Sequence, residues 1–219
     1  MIWAPELNPL LREKIALLYS LAYVVFIILF KFLYRFSVSG KENLPKTEPF
    51  IIAANHMSYV DPIVLGLAAY PRRIYFMAKE ELFKIPILNW LIRALNAFPV
   101  RRGKSDKKAF QMALELLLGG KVVGLFPEGT RHRGKLGPAH SGVAILALKT
   151  GVPVIPIAII GTDKILPDGK HIPRFPRIRA VIGKPIYVNR GEFKVKESIL
   201  DMTNYIMSHI ADLIKGSLG

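Results

Sequence analysis

The stretch from Phe50 to Pro62 constrains the fold more than any other part of this chain. Phe50-Ile51-Ile52-Ala53-Ala54 is apolar without alternation, as expected of a strand buried on both faces. Asp61-Pro62 reads as a helix N-cap followed by proline at the first helical position. A doubly buried strand that feeds a helix through a short polar loop belongs to a sheet covered by helices. Inside that loop, Asn55-His56-Met57-Ser58-Tyr59-Val60-Asp61 sets a histidine five residues before an aspartate, at the mouth of the sheet. An imidazole held by a nearby carboxylate takes a proton from an alcohol near pH 7. The spacing alone is a weak signal and fits a helix cap beside a satisfied loop histidine better.

The rest of the chain repeats the alternation of strand and helix. Strands are expected at Phe36–Ser39 (an edge), Phe50–Asn55, Ile74–Ala78 (ending at Lys79), Phe98–Arg101, Val122–Phe126, Val154–Ile160 and Ile178–Ile182. Helices are expected at Pro62–Ala69, Ile87–Leu95, Asp106–Leu118, Gly142–Lys149 and Val195–Lys215. Ser105 and Ser141 are the expected caps of the third and fourth. Ala109, Met112, Ala113, Leu116 and Leu117 give the third one apolar face. Leu166 to Arg177, rich in Pro, Lys and Arg, reads as a long exposed loop. The fold class that follows is α/β: a mainly parallel or mixed sheet flanked by helices, with an N-terminal membrane-associating helical segment.

That segment is residues 1–34, and 35–219 would form the α/β domain. Ile15 to Phe30 carries no charge over 16 residues, and Lys31 and further aromatics follow. A span takes about 20 apolar residues, so the run leaves spanning and lying in one leaflet both open, its shortness favouring partial insertion, with a buried core helix as the remaining alternative. Arg12 and Lys14 also suit a signal peptide, but no small-residue cleavage site follows. The formal net charge is +15 while 51% of residues are hydrophobic. That pairing favours an anionic membrane surface over nucleic acid. The chain has no Cys, which excludes disulfides, thiolate metal sites and a cysteine nucleophile.

A second segment gives His56 a context. Phe126-Pro127-Glu128-Gly129-Thr130-Arg131 follows the apolar run Val122-Val123-Gly124-Leu125, so it too would lie at a strand's carboxyl end. Ligands of parallel α/β sheets bind in the crevice outside those ends. Together NHMSYVD and FPEGTR resemble the blocks of the glycerolipid acyltransferase family. Its second block would be Phe98-Pro99-Val100-Arg101-Arg102 and its fourth Val152-Pro153-Val154-Ile155-Pro156, so the resemblance covers roughly 35–190.

The resemblance implies an acyl transfer without a bound cofactor. A thioester on acyl carrier protein or coenzyme A would donate to the sn-2 hydroxyl of lysophosphatidic acid, giving phosphatidic acid at the cytoplasmic face of the cell membrane. It makes His56 the general base and Asp61 its orienting partner. Arg102 is the first candidate for the acceptor phosphate; Arg101 stands where relatives often carry aspartate, which leaves the choice between the two open. Glu128 would orient a glycerol hydroxyl or, alternatively, form a structural ion pair with Arg131. Gly129 would allow close backbone approach, Thr130 completes the substrate-binding block, and Arg131 would add a second cation. Lys79, at a strand's carboxyl end, is a candidate third cation. Pro156 would shape either an acyl channel or the core.

Other classes are weaker. Glycerol-3-phosphate or another lysophospholipid are alternative acceptors. A non-catalytic module for anionic lipid or nucleic acid would not need His56, Asp61 and Glu128. The chain lacks a G-x-S-x-G elbow and the glycine patterns of nucleotide sites. His132 and His140, eight apart with no third partner, are poor zinc ligands, and no metal is expected.

Overall fold

The computed structural model describes residues 9–86, 89, 92–93, 96–101, 106–132, 134–167, 169, 172–188 and 196–217. Helices α1 (Pro9–Tyr34), α2 (Asp61–Ala69), α3 (Lys107–Leu118), α4 (Gly142–Thr150) and α5 (Lys196–Gly216) flank one sheet. Its strands are β1 (Ser37–Ser39), β2 (Ile51–Ala54), β3 (Ile74–Lys79), β4 (Ala97–Val100), β5 (Val122–Leu125), β6 (Val154–Ile160) and β7 (Arg179–Ile182). They lie in the order β1-β7-β6-β2-β5-β3-β4. From β6 to β4 all neighbours are parallel, whereas β7 is antiparallel to β6 and carries β1 parallel to itself. The sheet is therefore mixed. The helix expected over Ile87–Leu95 and its surroundings lie largely outside the described residues.

β2 is the central strand, and all its residues have zero exposure. Ile52 and Ala54 enter the apolar layer that includes α2 and the end of α1. Ile51 and Ala53 enter the opposite layer, with α3, α4 and α5. Each face of the strand is covered, which is why the run reads as apolar at every position. Ala109, Ala113 and Leu117 of α3 are buried, and Met112 and Leu116 pack at the margin, as the periodicity predicts. The cap of α3 differs from expectation. Asp106, not Ser105, supplies it, accepting from the backbone N–H groups of Lys108 (3.0 Å) and Ala109 (3.1 Å). Ser105 itself lies outside the described residues.

α1 has two apolar faces with different fates. Tyr23, Phe26, Ile27 and Tyr34 pack on the first core layer, and Phe30 is buried in it. Leu21, Val25, Ile28 and Phe32, the last 84% exposed, point outward. A division at residue 34 therefore passes through shared packing: the end of α1 belongs to the core of the α/β unit. Among the described residues no helix is long and apolar enough to cross a membrane.

Candidate active site

β2 and β5 are parallel neighbours, with Ala53 opposite Leu125. The loops that follow them leave the sheet at the same edge, which brings the two sequence blocks together. Asn55 prolongs the β2–β6 ladder with its side chain. Its amide donates to the Ile159 carbonyl (2.9 Å) and accepts from the Ile159 N–H (2.7 Å). The main chain is thereby freed to turn away at His56.

Within that turn a single carboxylate oxygen gathers three donors. Oδ2 of Asp61 lies 2.8 Å from His56 Nδ1, and accepts the N–H groups of Met57 (2.6 Å) and Ser58 (2.7 Å). Asp61 thus stands at the start of α2 but does not cap it; α2 has no side-chain cap bond. The carboxylate turns back over its own loop because the imidazole and two orphan amides compete for it there. With Asp61 at zero exposure and His56 at 6%, this bond is shielded from water. Commitment of Nδ1–H to the carboxylate leaves the lone pair on Nε2, which is the atom free to take a proton. Among the described residues Oδ1 of Asp61 has no hydrogen-bond partner, so Oδ2 carries the ordering.

Glu128 completes the cradle. Its Oε1 accepts the His56 backbone N–H (2.8 Å) and its Oε2 accepts that of Gly137 (2.8 Å). The side chain is 2% exposed, with both oxygens engaged on backbone. These two bonds tie the FPEGTR turn to the histidine loop, and among the described residues Glu128 forms no ion pair with Arg131. The His132 N–H closes the same junction on the His56 carbonyl at 2.8 Å.

Above the imidazole sits Phe126, its ring stacked at 4.1 Å and 18° on His56, and Phe76 lies 6.5 Å beyond Phe126. Gly124 makes room for this column. A Cβ there would come within 2.6 Å of Cε1 of Phe76 and 2.7 Å of Cγ2 of Ile74. Gly129 follows from a φ of 66°, in the left-handed region, and its face is covered by the ring of His140, 2.9 Å from an added Cβ. The His140 ring thus packs on Gly129, and that of His132 lies against Gly137, where an added Cβ would meet it. Among the described residues no three metal-ligating side chains converge.

The candidate cations are dispersed. The Arg131 guanidinium lies 3.5 Å over the Tyr59 ring, a cation–π contact that holds it beside the histidine loop. Thr130 is exposed next to it. Lys79 pairs with Glu81 at 3.6 Å. Arg101 donates from Nε to Glu80 at 2.8 Å, and that hydrogen bond first, then the Glu80 charge, raises its pKa. Both are exposed ion pairs at the ends of β3 and β4, unlike Arg131 at the loop itself. Arg102 lies outside the described residues. The motifs name His56, Asp61, Glu128, Gly129 and Arg131, and the fold brings all five to one edge. Asn55, Phe126, Gly124 and Tyr59 lie there too; sequence reasoning assigned them no role, although Gly124 in a run of otherwise large apolar residues was a visible signal of close approach.

Comparison with known proteins agrees with this arrangement. The Acyltransferase family profile matches residues 35–160. The 1-acyl-sn-glycerol-3-phosphate acyltransferase of Bacillus subtilis is 32% identical over 177 residues, 80% of this chain and 86% of that protein. The chloroplastic 1-acyl-sn-glycerol-3-phosphate acyltransferase BAT2 of Brassica napus is 35% identical over 170 residues, covering 75% of this chain and 49% of its own length. The chain thus spans about half the length of that plant relative. The crystal structure of the 1-acyl-sn-glycerophosphate (LPA) acyltransferase PlsC from Thermotoga maritima superposes with a TM-score of 0.71 at 32% identity. It covers 94% of this chain and 79% of that one. Family match, relatives and superposed fold all span the edge that carries His56 and Asp61, and the chain belongs to the acyltransferase family.

Proposed function

We propose that the protein is a 1-acyl-sn-glycerol-3-phosphate O-acyltransferase with His56 as general base. The observation that carries the reading is the convergence of His56 Nδ1 and two backbone amides on one buried oxygen of Asp61. Such a cradle fixes the tautomer and aims Nε2, which is costly to build for packing alone. The reaction needs nothing more elaborate. As the sn-2 oxygen of lysophosphatidic acid attacks the thioester carbonyl, Nε2 accepts its proton and Asp61 stabilises the imidazolium. Collapse of the tetrahedral intermediate breaks the C–S bond, and the departing thiolate takes the proton from His56. The ester oxygen remains on the glycerol as phosphatidic acid.

Arg131, pinned over Tyr59, and Arg102 are the residues we assign to the acceptor phosphate, since Lys79 and Arg101 are already paired with glutamates. The donor is a thioester of acyl carrier protein or coenzyme A. The outward apolar face of α1, with a net charge of +15, supports docking on an anionic cytoplasmic leaflet by partial insertion.

The decisive assay is purified enzyme in detergent with a panel of acceptors crossed against both kinds of donor. Lysophosphatidic acid should outrun acceptors that lack a phosphate monoester. His56→Ala, folded by circular dichroism, should lose at least about 10²-fold in turnover. Retention of more than a tenth of the wild-type rate removes His56 from the chemistry, and equal rates with phosphate-free acceptors remove the arginines from acceptor recognition.

A further inference from the structure

β6 and β7 are antiparallel neighbours, with Ile160 opposite Arg179, so the segment from 161 to 178 closes at the edge of the sheet where β2 and β5 also end. It carries two large apolar side chains in water: Ile172 is 80% exposed and Phe175 53% exposed. Lys164, Arg174 and Arg177 lie in the same segment, all exposed, and none forms an ion pair among the described residues. Exposed single hydrophobics are ordinary, but this pair is held out deliberately. Pro173 and Pro176 flank the Arg174-Phe175 pair and fix its backbone, while the Arg174 N–H donates to the Ile165 carbonyl at 2.7 Å and closes the base of the loop.

The loop is also joined to α1. The Phe175 ring lies 5.6 Å from that of Tyr34, and the Ile178 N–H donates to the Tyr34 carbonyl at 3.0 Å. Phe32, two residues before Tyr34, lies on the other side of the helix, on its outward apolar face. The loop is thus anchored on the inner face of the helix end through Tyr34, and its own apolar and cationic side chains lie beside the edge that holds the active site. Unpaired cations in one loop with exposed apolar side chains match an anionic bilayer, where the charges meet headgroups and the apolar groups pass below them.

We propose that the loop between β6 and β7 is a second membrane-contact element, inserting Ile172 and Phe175 into an anionic leaflet while Arg174, Arg177 and Lys164 bind headgroup phosphates. Its consequence is orientation. Contact through α1 alone would leave the molecule free to roll about the helix, whereas a second contact at the strand ends sets the active-site edge against the lipid. The inference rests on the acyltransferase reading only for that consequence, so its test separates lipid contact from chemistry.

The chain has no Cys, so single-cysteine variants label at one place. Full-length Ile172→Cys and, as control, Lys121→Cys before β5 at the far rim would each carry an environment-sensitive fluorophore. On vesicles of phosphatidylglycerol and phosphatidylcholine the label at 172 should shift to the blue and resist aqueous quenchers; the label at 121 should not change. A second variant, Ile172→Asp with Phe175→Asp, should weaken vesicle binding by about tenfold or more. It should also slow acylation of membrane-resident lysophosphatidic acid. Its turnover of a dispersed short-chain acceptor should stay at the wild-type rate. Replacing Arg174 and Arg177 by Gln should weaken binding about fivefold per charge, an effect that high salt removes. A label at 172 that stays in water on bound protein, or an unchanged affinity of the double Asp variant, overturns the proposal. Loss of soluble-acceptor turnover in that variant would assign the loop to the active site and overturn it as well.

Discussion

Glu128 separates two accounts of the third sequence block. If it contacts the acceptor, its loss weakens acceptor binding; if it holds the histidine loop, its loss damages chemistry and stability together. The structure supports the second, with Oε1 on the His56 N–H and Oε2 on the Gly137 N–H, both at 2.8 Å. Glu128→Ala leaves two backbone donors without partners, one of them buried, at about 1–3 kcal/mol each. Glu128→Gln keeps one acceptor and sets an NH₂ against a backbone N–H, so it should cost about 1.5–3 kcal/mol by loss of one charge-assisted bond. In urea the midpoint should fall for both variants, further for Ala, at unchanged slope. In steady state kcat should drop by tenfold or more, because the His56 backbone loses its anchor, while the acceptor KM changes by less than about threefold. A Glu128→Gln protein of wild-type stability whose only defect is a raised acceptor KM would refute this account.

Three further outcomes follow from single contacts. Asp61→Asn removes the charge that gathers His56 Nδ1 and two amides, so kcat should fall by more than tenfold, less than in His56→Ala, with the acceptor KM nearly constant; a change under twofold in steady-state assays would sink the role. Gly124→Ala forces a methyl against Phe76 and Ile74, which should cost about 1–3 kcal/mol in denaturant unfolding and lower kcat through the Phe76–Phe126–His56 column. Asp106→Ala removes the α3 cap at a cost of about 1 kcal/mol near neutral pH. The Asp106 pKa is lowered, first by the Arg101 N–H and then by that of Ala109, so its contribution is full above the ordinary carboxylate pKa and fades as pH falls through the lowered one. Unfolding curves of the two proteins should therefore converge in acid, and a gap that widens there would contradict the sign.

How far the sequence could be read depended on the range of the interaction. The unbroken apolar run before Asn55 placed a doubly buried strand, and residues 51–54 have no exposure. Such a run reports burial, which is local. The direction of a side chain is not. Asp61-Pro62 has the composition of a helix start, yet the carboxylate faces backward, because three donors within five residues outbid the first-turn amides. Neighbouring Ser105 and Asp106 are both good caps, and choosing between them by residue type alone was beyond what one turn of sequence resolves. For Glu128 the partners are 72 and 9 residues away, and a motif gives the residue type without its orientation.

The two faces of α1 show the same limit most clearly, and they bear on how the enzyme would work at a bilayer. A run without charges has no polar face, so periodicity cannot say which side meets protein and which meets lipid. The fold divides it. Phe30 and its neighbours are part of the core, whereas Ile28 and Phe32 are not covered by any described residue to the extent of burial. One helix therefore packs on the core with one face and leaves the other uncovered, with α2, which begins at Asp61, packed in the same layer. A bilayer on the outer face leaves the inner packing intact, so docking needs no refolding. The consequence is that truncation inside α1 should perturb the core, whatever it does to the proposed lipid contact. Point substitutions on the outward face, Ile28→Asn or Phe32→Asn, should lower vesicle binding at unchanged unfolding free energy, while Phe30→Ala should cost about 3–5 kcal/mol of stability.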